Sequence, residues 1–188
     1  MIDNTSMKDR AAVLWLFLCG VALTGASSIL AVEKVPEFKL KDPLDKEYTH
    51  KDLLAENTVV MISIPNVKHG ENQERWIALL EKALPGPRPQ LVVLEDLSQS
   101  NVVEEATEGM RKRFKPGQRP LLLVDATGDV RRAFGVPQDE TAILVCNRQG
   151  AIVHRVSDIT DPDEVREAVK GVVKAAKNLR SVSSAQNR

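Results

Sequence analysis

"TVVMISIPNVKHGENQERWIALLEKALPGPRPQLVVLED", Thr58 to Asp96, holds two strand patterns with one helix pattern between them. Thr58–Ile64 is nearly all apolar and β-branched, and Gln90–Asp96 repeats that character, which marks strands covered on both faces. Between them Trp76, Leu79, Leu80, Ala83 and Leu84 recur on one side of a helix, which "PGPRP" (Pro85 to Pro89) ends. Two buried strands joined through a helix form a crossover unit and demand helices on both faces of their sheet.

The pattern continues outward in both directions. Upstream, "EFKLKD" (Glu37 to Asp42) alternates apolar and charged residues like a half-exposed strand, and "PLDK" (Pro43 to Lys46) reads as its turn. Downstream, a helix starting near Ser100 or Asn101 is expected to turn Val102, Val103, Ala106, Met110 and Phe114 inward. "PLLLVD" (Pro120 to Asp125) is a third buried strand, followed by the short turn-helix "ATGDVRRAFGV". "AILVC" (Ala142 to Cys146), "NRQG" and "AIVHRV" (Ala151 to Val156) read as a hairpin. Asp161, Pro162 and Glu164 supply N-cap, N1 and N3 for a last helix lined by Val165, Ala168, Val169, Val172, Val173 and Ala176. The order predicts one α/β domain over residues 33–179, a central mixed sheet covered on both faces with an N-terminal β-hairpin extension. Residues 180–188 lack apolar periodicity and read as a disordered tail.

Ahead of the domain, Lys8 and Arg10 precede 22 uncharged residues, Ala11 to Val32. A basic start, a Leu-rich centre and the small residues Gly25, Ala26, Ser27 and Ser28 fit a secretory signal cleaved after Ala26 or Ala31. The same run is long enough to span a bilayer as an uncleaved anchor. Residues 1–32 are therefore a signal peptide or an N-terminal membrane anchor, and either places the domain outside the cytoplasm, periplasmic or secreted or held at the inner membrane. The 26 basic and 26 acidic residues balance, so net charge gives no argument for a nucleic-acid partner. With only Cys19 and Cys146, and with His50, His69 and His154 scattered, no CxxC, disulfide framework or metal motif can be built, and no cofactor is expected.

Three stretches carry a family likeness. "VPEFKLKDPLDKEYTHKDL", "PLLLVDATGDVRRAFGV" and "AILVCNRQGAIVHRV", in this order and spacing, resemble the thioredoxin-like superfamily, and especially its peroxiredoxin and periplasmic thioredoxin-like branches. The likeness covers about residues 35–179. It departs at two turns, where Asp45 stands in place of the usual glycine and Asn147 in place of the aspartate. It implies a thioredoxin-like fold whose reactive cysteine sits between the first buried strand and the first long helix. In peroxiredoxins a proline, a threonine four residues on and a cysteine seven on form the peroxide pocket. Here those positions hold Pro65, His69 and Asn72, and an amide cannot supply a thiolate. The superfamily's cis-proline position falls at Thr141, and the supporting arginine of peroxiredoxins is absent too.

The resemblance thus implies a redox scaffold without its redox equipment, a non-catalytic binding or envelope-associated protein with Pro65, Lys68, His69, Asn72 and Thr141 as candidate binding residues. The helix N-terminus there offers free N–H groups for a small anion or a partner protein's carboxylate. Alternatively Asn72 or a neighbour caps the helix and the rest is a solvated loop. An enzymatic alternative, a thiol oxidoreductase or peroxiredoxin-like antioxidant protein, would have to use Cys146 alone, although a cysteine at the end of an apolar strand ordinarily packs as a small hydrophobe. A third reading is an envelope scaffold held by residues 11–32. "RKRFK" (Arg111 to Lys115) reads either as a docking patch or as the solvated last turn of a helix, with Glu108 and Lys112 paired.

Overall fold

In the computed structural model, residues 33–63, 70–87 and 89–185 are described, without the side chains of 70 and 180–185. The segment Ala11 to Val32 lies outside them, as do Pro65, Lys68 and His69. Three parallel strands form the centre of the sheet: β3 (Thr58–Ser63), β4 (Gln90–Asp96) and β5 (Leu121–Asp125). The crossovers between them are α2 (Gly70–Ala83) and α3 (Val103–Arg113). Antiparallel strands complete both flanks. On one side lie β1 (Lys39–Lys41) and β2 (Glu47–Thr49), on the other β6 (Ala142–Cys146) and β7 (Ile152–Ser157). The order across the sheet is β2-β1-β5-β4-β3-β6-β7.

Alternate residues of the buried strands feed two cores. One face packs Val60, Ile62, Val92, Leu94, Leu123, Leu144 and Cys146 against Phe38, Leu53, Val130 of the short helix α4 (Asp129–Ala133) and its C-cap Phe134. The other packs Val59, Met61, Leu91, Val93, Ile143 and Val145 under α2 and α5 (Pro162–Ala185), which contribute Trp76, Leu80, Leu84, Val165, Val169, Val172 and Ala176. This is the two-faced mixed sheet that the strand and helix patterns predict.

The two departures from family turn chemistry have physical explanations. Asp45 sits at φ +65°, the left-handed backbone that glycine adopts freely and that Asp tolerates better than most residues. Asp42 Oδ1 holds the turn by accepting from the N–H groups of Leu44 (2.8 Å) and Lys46 (3.0 Å). Asn147 Oδ1 accepts from the N–H groups of Gln149 (3.0 Å) and Ala151 (2.9 Å), so the amide oxygen serves the β6–β7 turn as a carboxylate would.

Four expectations need correcting. The half-exposed strand shrinks to the three residues of β1, and β2 runs straight into an unexpected helix α1 (His50–Leu54), closed by a Thr49–Asp52 capping box. The α3 pattern does not bury a helix face: α3 has no fully buried residue and Val102 is 53% exposed, while Phe114 is buried only beyond the helix end. Its mixture of Glu, Arg and Lys with few large apolar side chains leaves little surface to drive docking. Asn72 is no cap, for it is the third residue of α2 and 5% exposed. Finally, α5 continues past Leu179 to Ala185, through part of the segment that reads as a tail. Extending an existing helix fixes one residue per hydrogen bond, so apolar periodicity is not needed to continue it.

The α5 start follows its sequence signature. Asp161 Oδ1 accepts from the N–H groups of Asp163 (2.9 Å) and Glu164 (3.1 Å). Asp161→Ala is expected to lower stability by about 1 kcal/mol, readable as a urea midpoint shift at unchanged slope.

Candidate functional site

The C-terminal ends of β3 and β4, the entry to β6 and the first turns of α2 meet at one edge of the α2–α5 face. Ser63 ends β3, level with Glu95 of β4 in the parallel register. Thr141 precedes Ala142, itself paired with Ile62, so it stands one step further along beside Ser63. From α2, Gln73 Nε2 donates to Glu95 Oε1. Asn72 Nδ2 donates to the Ile159 carbonyl at 3.1 Å, and Trp76 Nε1 reaches the same oxygen at 3.4 Å. These bonds pin the start of α2 to the segment that leads from β7 into α5.

The polarity of this end is unusual for a place so shielded from water. Ser63 is 0%, Asn72 5% and Glu95 5% exposed, yet Ser63 Oγ, Asn72 Oδ1 and Glu95 Oε2 find no hydrogen-bond partner among the described residues. Buried polar atoms ordinarily find partners, and leaving one without costs about 1–3 kcal/mol. Burial pushes the Glu95 carboxyl up to about 7, against a smaller downward pull from the Gln73 amide.

The opposite face of the same strand ends is polar but satisfied. Arg131, 5% exposed, forms a buried ion pair with Asp96 and donates through Nη1 to the Val136 carbonyl. Its own backbone N–H donates to Asp125 Oδ2 at 3.0 Å. Arg131 thereby fixes the start of the 136–141 segment that enters β6, and Asp125 holds the first turns of α4.

Of the sequence-derived candidates, Asn72 and Thr141 lie together at this edge, Thr141 buried with its carbonyl accepting from Asp158 N–H at 3.0 Å. The Glu140–Thr141 peptide is trans, since the cis bond among the described residues is Arg119–Pro120. Pro65, Lys68 and His69 fall outside the described residues. Ser63, Gln73 and Glu95 belong to no sequence motif, although the glutamate inside the otherwise apolar run "QLVVLED" is a visible signal. Cys146 lies elsewhere. It pairs with Thr58 at the opposite end of β3, five residues from Ser63, which at ~3.3 Å per residue is about 16 Å away. It is 1% exposed and belongs to the other face's core, and burial, aided by Glu33, pushes its thiol up to about 12. His154 is opposite Val145, on the α5 side against Gly171 rather than beside the thiol. In "RKRFK", Arg111 bonds the Pro43 carbonyl and pairs with Asp45 and Glu108, while Lys112 reaches Glu108 at 3.9 Å. Among the described residues no group of three His, Cys, Asp or Glu side chains could hold a metal, and no helix is long and apolar enough to cross a membrane.

No protein-family model and no curated protein matches this chain in sequence. Solved structures do match. One is a candidate thiol:disulfide interchange protein DsbE from Chlorobium tepidum, at TM-score 0.60 and 12% identity over 77% of this chain and 96% of that one. Another is the exposed lipoprotein thioredoxin Etrx1 from Streptococcus pneumoniae, at TM-score 0.53 and 14% identity over 72% and 99%. A third is a secreted Mycobacterium tuberculosis disulfide oxidoreductase, at TM-score 0.50 and 15% identity over 71% and 95%. At these identities the likeness establishes the fold: the described residues adopt a thioredoxin-like fold. No cysteine pair is present in the described residues, where Cys146 stands as a buried free thiol.

Proposed function

We propose that this chain is an exported protein with a thioredoxin-like fold that acts by binding at the β3–β4–β6 edge and not through thiol chemistry. The observation that carries this reading is the composition of that edge. Ser63, Asn72, Gln73, Glu95 and Thr141 place hydroxyl, amide and carboxyl groups there and no sulfur. Oxidoreductase chemistry needs an accessible thiolate, whereas Cys146 is enclosed in a core and its acidity is suppressed. Export is supported by the uncharged run Ala11 to Val32 and by the secreted and surface-exposed proteins among the structural neighbours. The occupant of the edge is a small molecule or a segment of a partner protein.

The test is chemical. In native full-length protein at pH 8, the peptide containing Cys146 should remain unmodified by iodoacetamide over an hour and react fully in 6 M guanidinium, as read by peptide mass mapping. The protein should neither reduce insulin disulfides nor consume peroxide. Rapid native alkylation of Cys146 would overturn its enclosure, and a peroxidase activity abolished by Cys146→Ala would establish the thiol enzyme instead.

A further inference from the structure

We propose that the β3–β4–β6 edge takes the ammonium head of a primary amine, received by Glu95 Oε2 and Ser63 Oγ with Asn72 Oδ1 as a third acceptor. The inference rests on the reading of this edge as a binding site and names what it binds. Among the described residues, three buried oxygens lack partners on adjoining elements: Glu95 Oε2 on β4 and Ser63 Oγ on β3, level in the parallel register, and Asn72 Oδ1 on α2, next to the Gln73 that bonds Glu95. Asn72 has its orientation fixed, because only its Nδ2 can donate to the Ile159 carbonyl, so its Oδ1 is left as an acceptor. Gln73 fixes Glu95 in the same way by occupying Oε1 and leaving Oε2.

What is missing from such a set is a donor with positive charge. A helix N-terminus alone would suggest an anion, but a carboxylate and the Asn72 amide oxygen, with a Ser63 hydroxyl that can turn its lone pairs inward, call for the opposite. An alkylammonium brings three N–H donors on one atom and a charge that matches one carboxylate. A divalent cation is a poorer fit, since calcium and magnesium seek six or more oxygens and usually more than one carboxylate. The surroundings of Glu95 reinforce the choice. Ser63 from β3, Val124 from β5 and Gln73 from α2 flank it, and none is charged. On the first turns of α2, Glu71 and Glu74 are exposed, and Arg75 extends to the Thr160 carbonyl at 3.4 Å. The described residues therefore supply no cation for Glu95.

Binding must be coupled to proton loss, because Glu95 carries its proton until about pH 7 and only its carboxylate matches the ammonium. Calorimetric titration of full-length protein with n-butylammonium chloride at pH 7, in buffers of different ionisation enthalpy, should show saturable binding that releases roughly half a proton. Affinity should fall about tenfold per pH unit below 7 and level off above it. Tetramethylammonium, which has charge but no N–H, should not compete. Glu95→Gln, which keeps the oxygen that Gln73 bonds, should weaken binding at least tenfold and abolish proton release. Ser63→Ala should weaken binding while keeping that release. Nα-acetyl-lysine methylamide distinguishes the sources: affinity equal to butylammonium points to a free amine, and much tighter binding to a lysine side chain of a peptide. Equal binding of tetramethylammonium, or proton release that persists in Glu95→Gln, would overturn the proposal. Failure of every amine to bind, with Cys146 still inert, overturns the amine and leaves a thiol-free binding edge standing.

Discussion

Arg131→Met is expected to cost about 3–5 kcal/mol of stability, the largest loss from a single substitution in the domain outside a core cavity. The reason is what remains behind. Asp96 is 1% exposed, and its Oδ1 already accepts from Ser98 N–H at 2.8 Å. Removing the guanidinium leaves a buried carboxylate without its counter-charge and the Val136 carbonyl without that donor. Urea unfolding should show a large fall in midpoint, and the thermal midpoint should drop on the order of 10 °C for a domain of this size. The double variant Asp96→Leu with Arg131→Met should recover most of the loss, because a buried ion pair replaced whole by apolar groups is close to neutral. If the double variant were as unstable as Arg131→Met, the cost would lie in positioning residues 136–141 and not in the orphaned charge.

The second large effect is a pH dependence that belongs to one side chain. With its carboxyl raised to about 7 from the ordinary 4.5, Glu95 holds a proton in the folded protein that the unfolded chain has already released. Its contribution to stability is fully present below pH 4.5 and is lost as the pH rises through about 7. At 1.36 kcal/mol per pH unit, the loss amounts to about 3 kcal/mol by pH 8. Glu95→Gln keeps the acceptor for Gln73 Nε2 and removes the titration. The variant should match the wild type near pH 4.5 and exceed it by about 3 kcal/mol at pH 8, with the difference opening between those limits in paired urea titrations. Identical pH profiles for the two proteins would show that Glu95 is ionised in the folded state at neutral pH. Saturating butylammonium should narrow the gap by stabilising the wild type more than the variant.

The architecture was legible because burial on both sides of a sheet leaves a local trace. Strands β3, β4 and β5 read as continuous apolar runs, α5 shows its Asp161-Pro162-Glu164 entry, and the β6–β7 hairpin brackets a polar turn. Elements that depend on few contacts were less legible. β1 and β2 are three residues each, α1 forms because Thr49 and Asp52 cap it, and α3 carries apolar residues that its packing leaves only partly covered.

Sequence by itself determined the strand and helix order, the thioredoxin-like resemblance and the want of a CxxC motif, since each is a matter of residue type and spacing along the chain. It also placed Asn72 and Thr141 at positions that the fold brings to one edge. Only the tertiary structure decided which polar groups share that edge and which lack partners. Ser63 and Glu95 are 32 residues apart and meet because β3 and β4 pair in parallel, and Asn72 finds Ile159 across 87 residues because α2 docks beside the α5 entry. The raised proton affinity of the Glu95 carboxyl and of the Cys146 thiol belongs to the same category. Both follow from removing a titratable group from water, and no local pattern records how much water the rest of the chain will exclude.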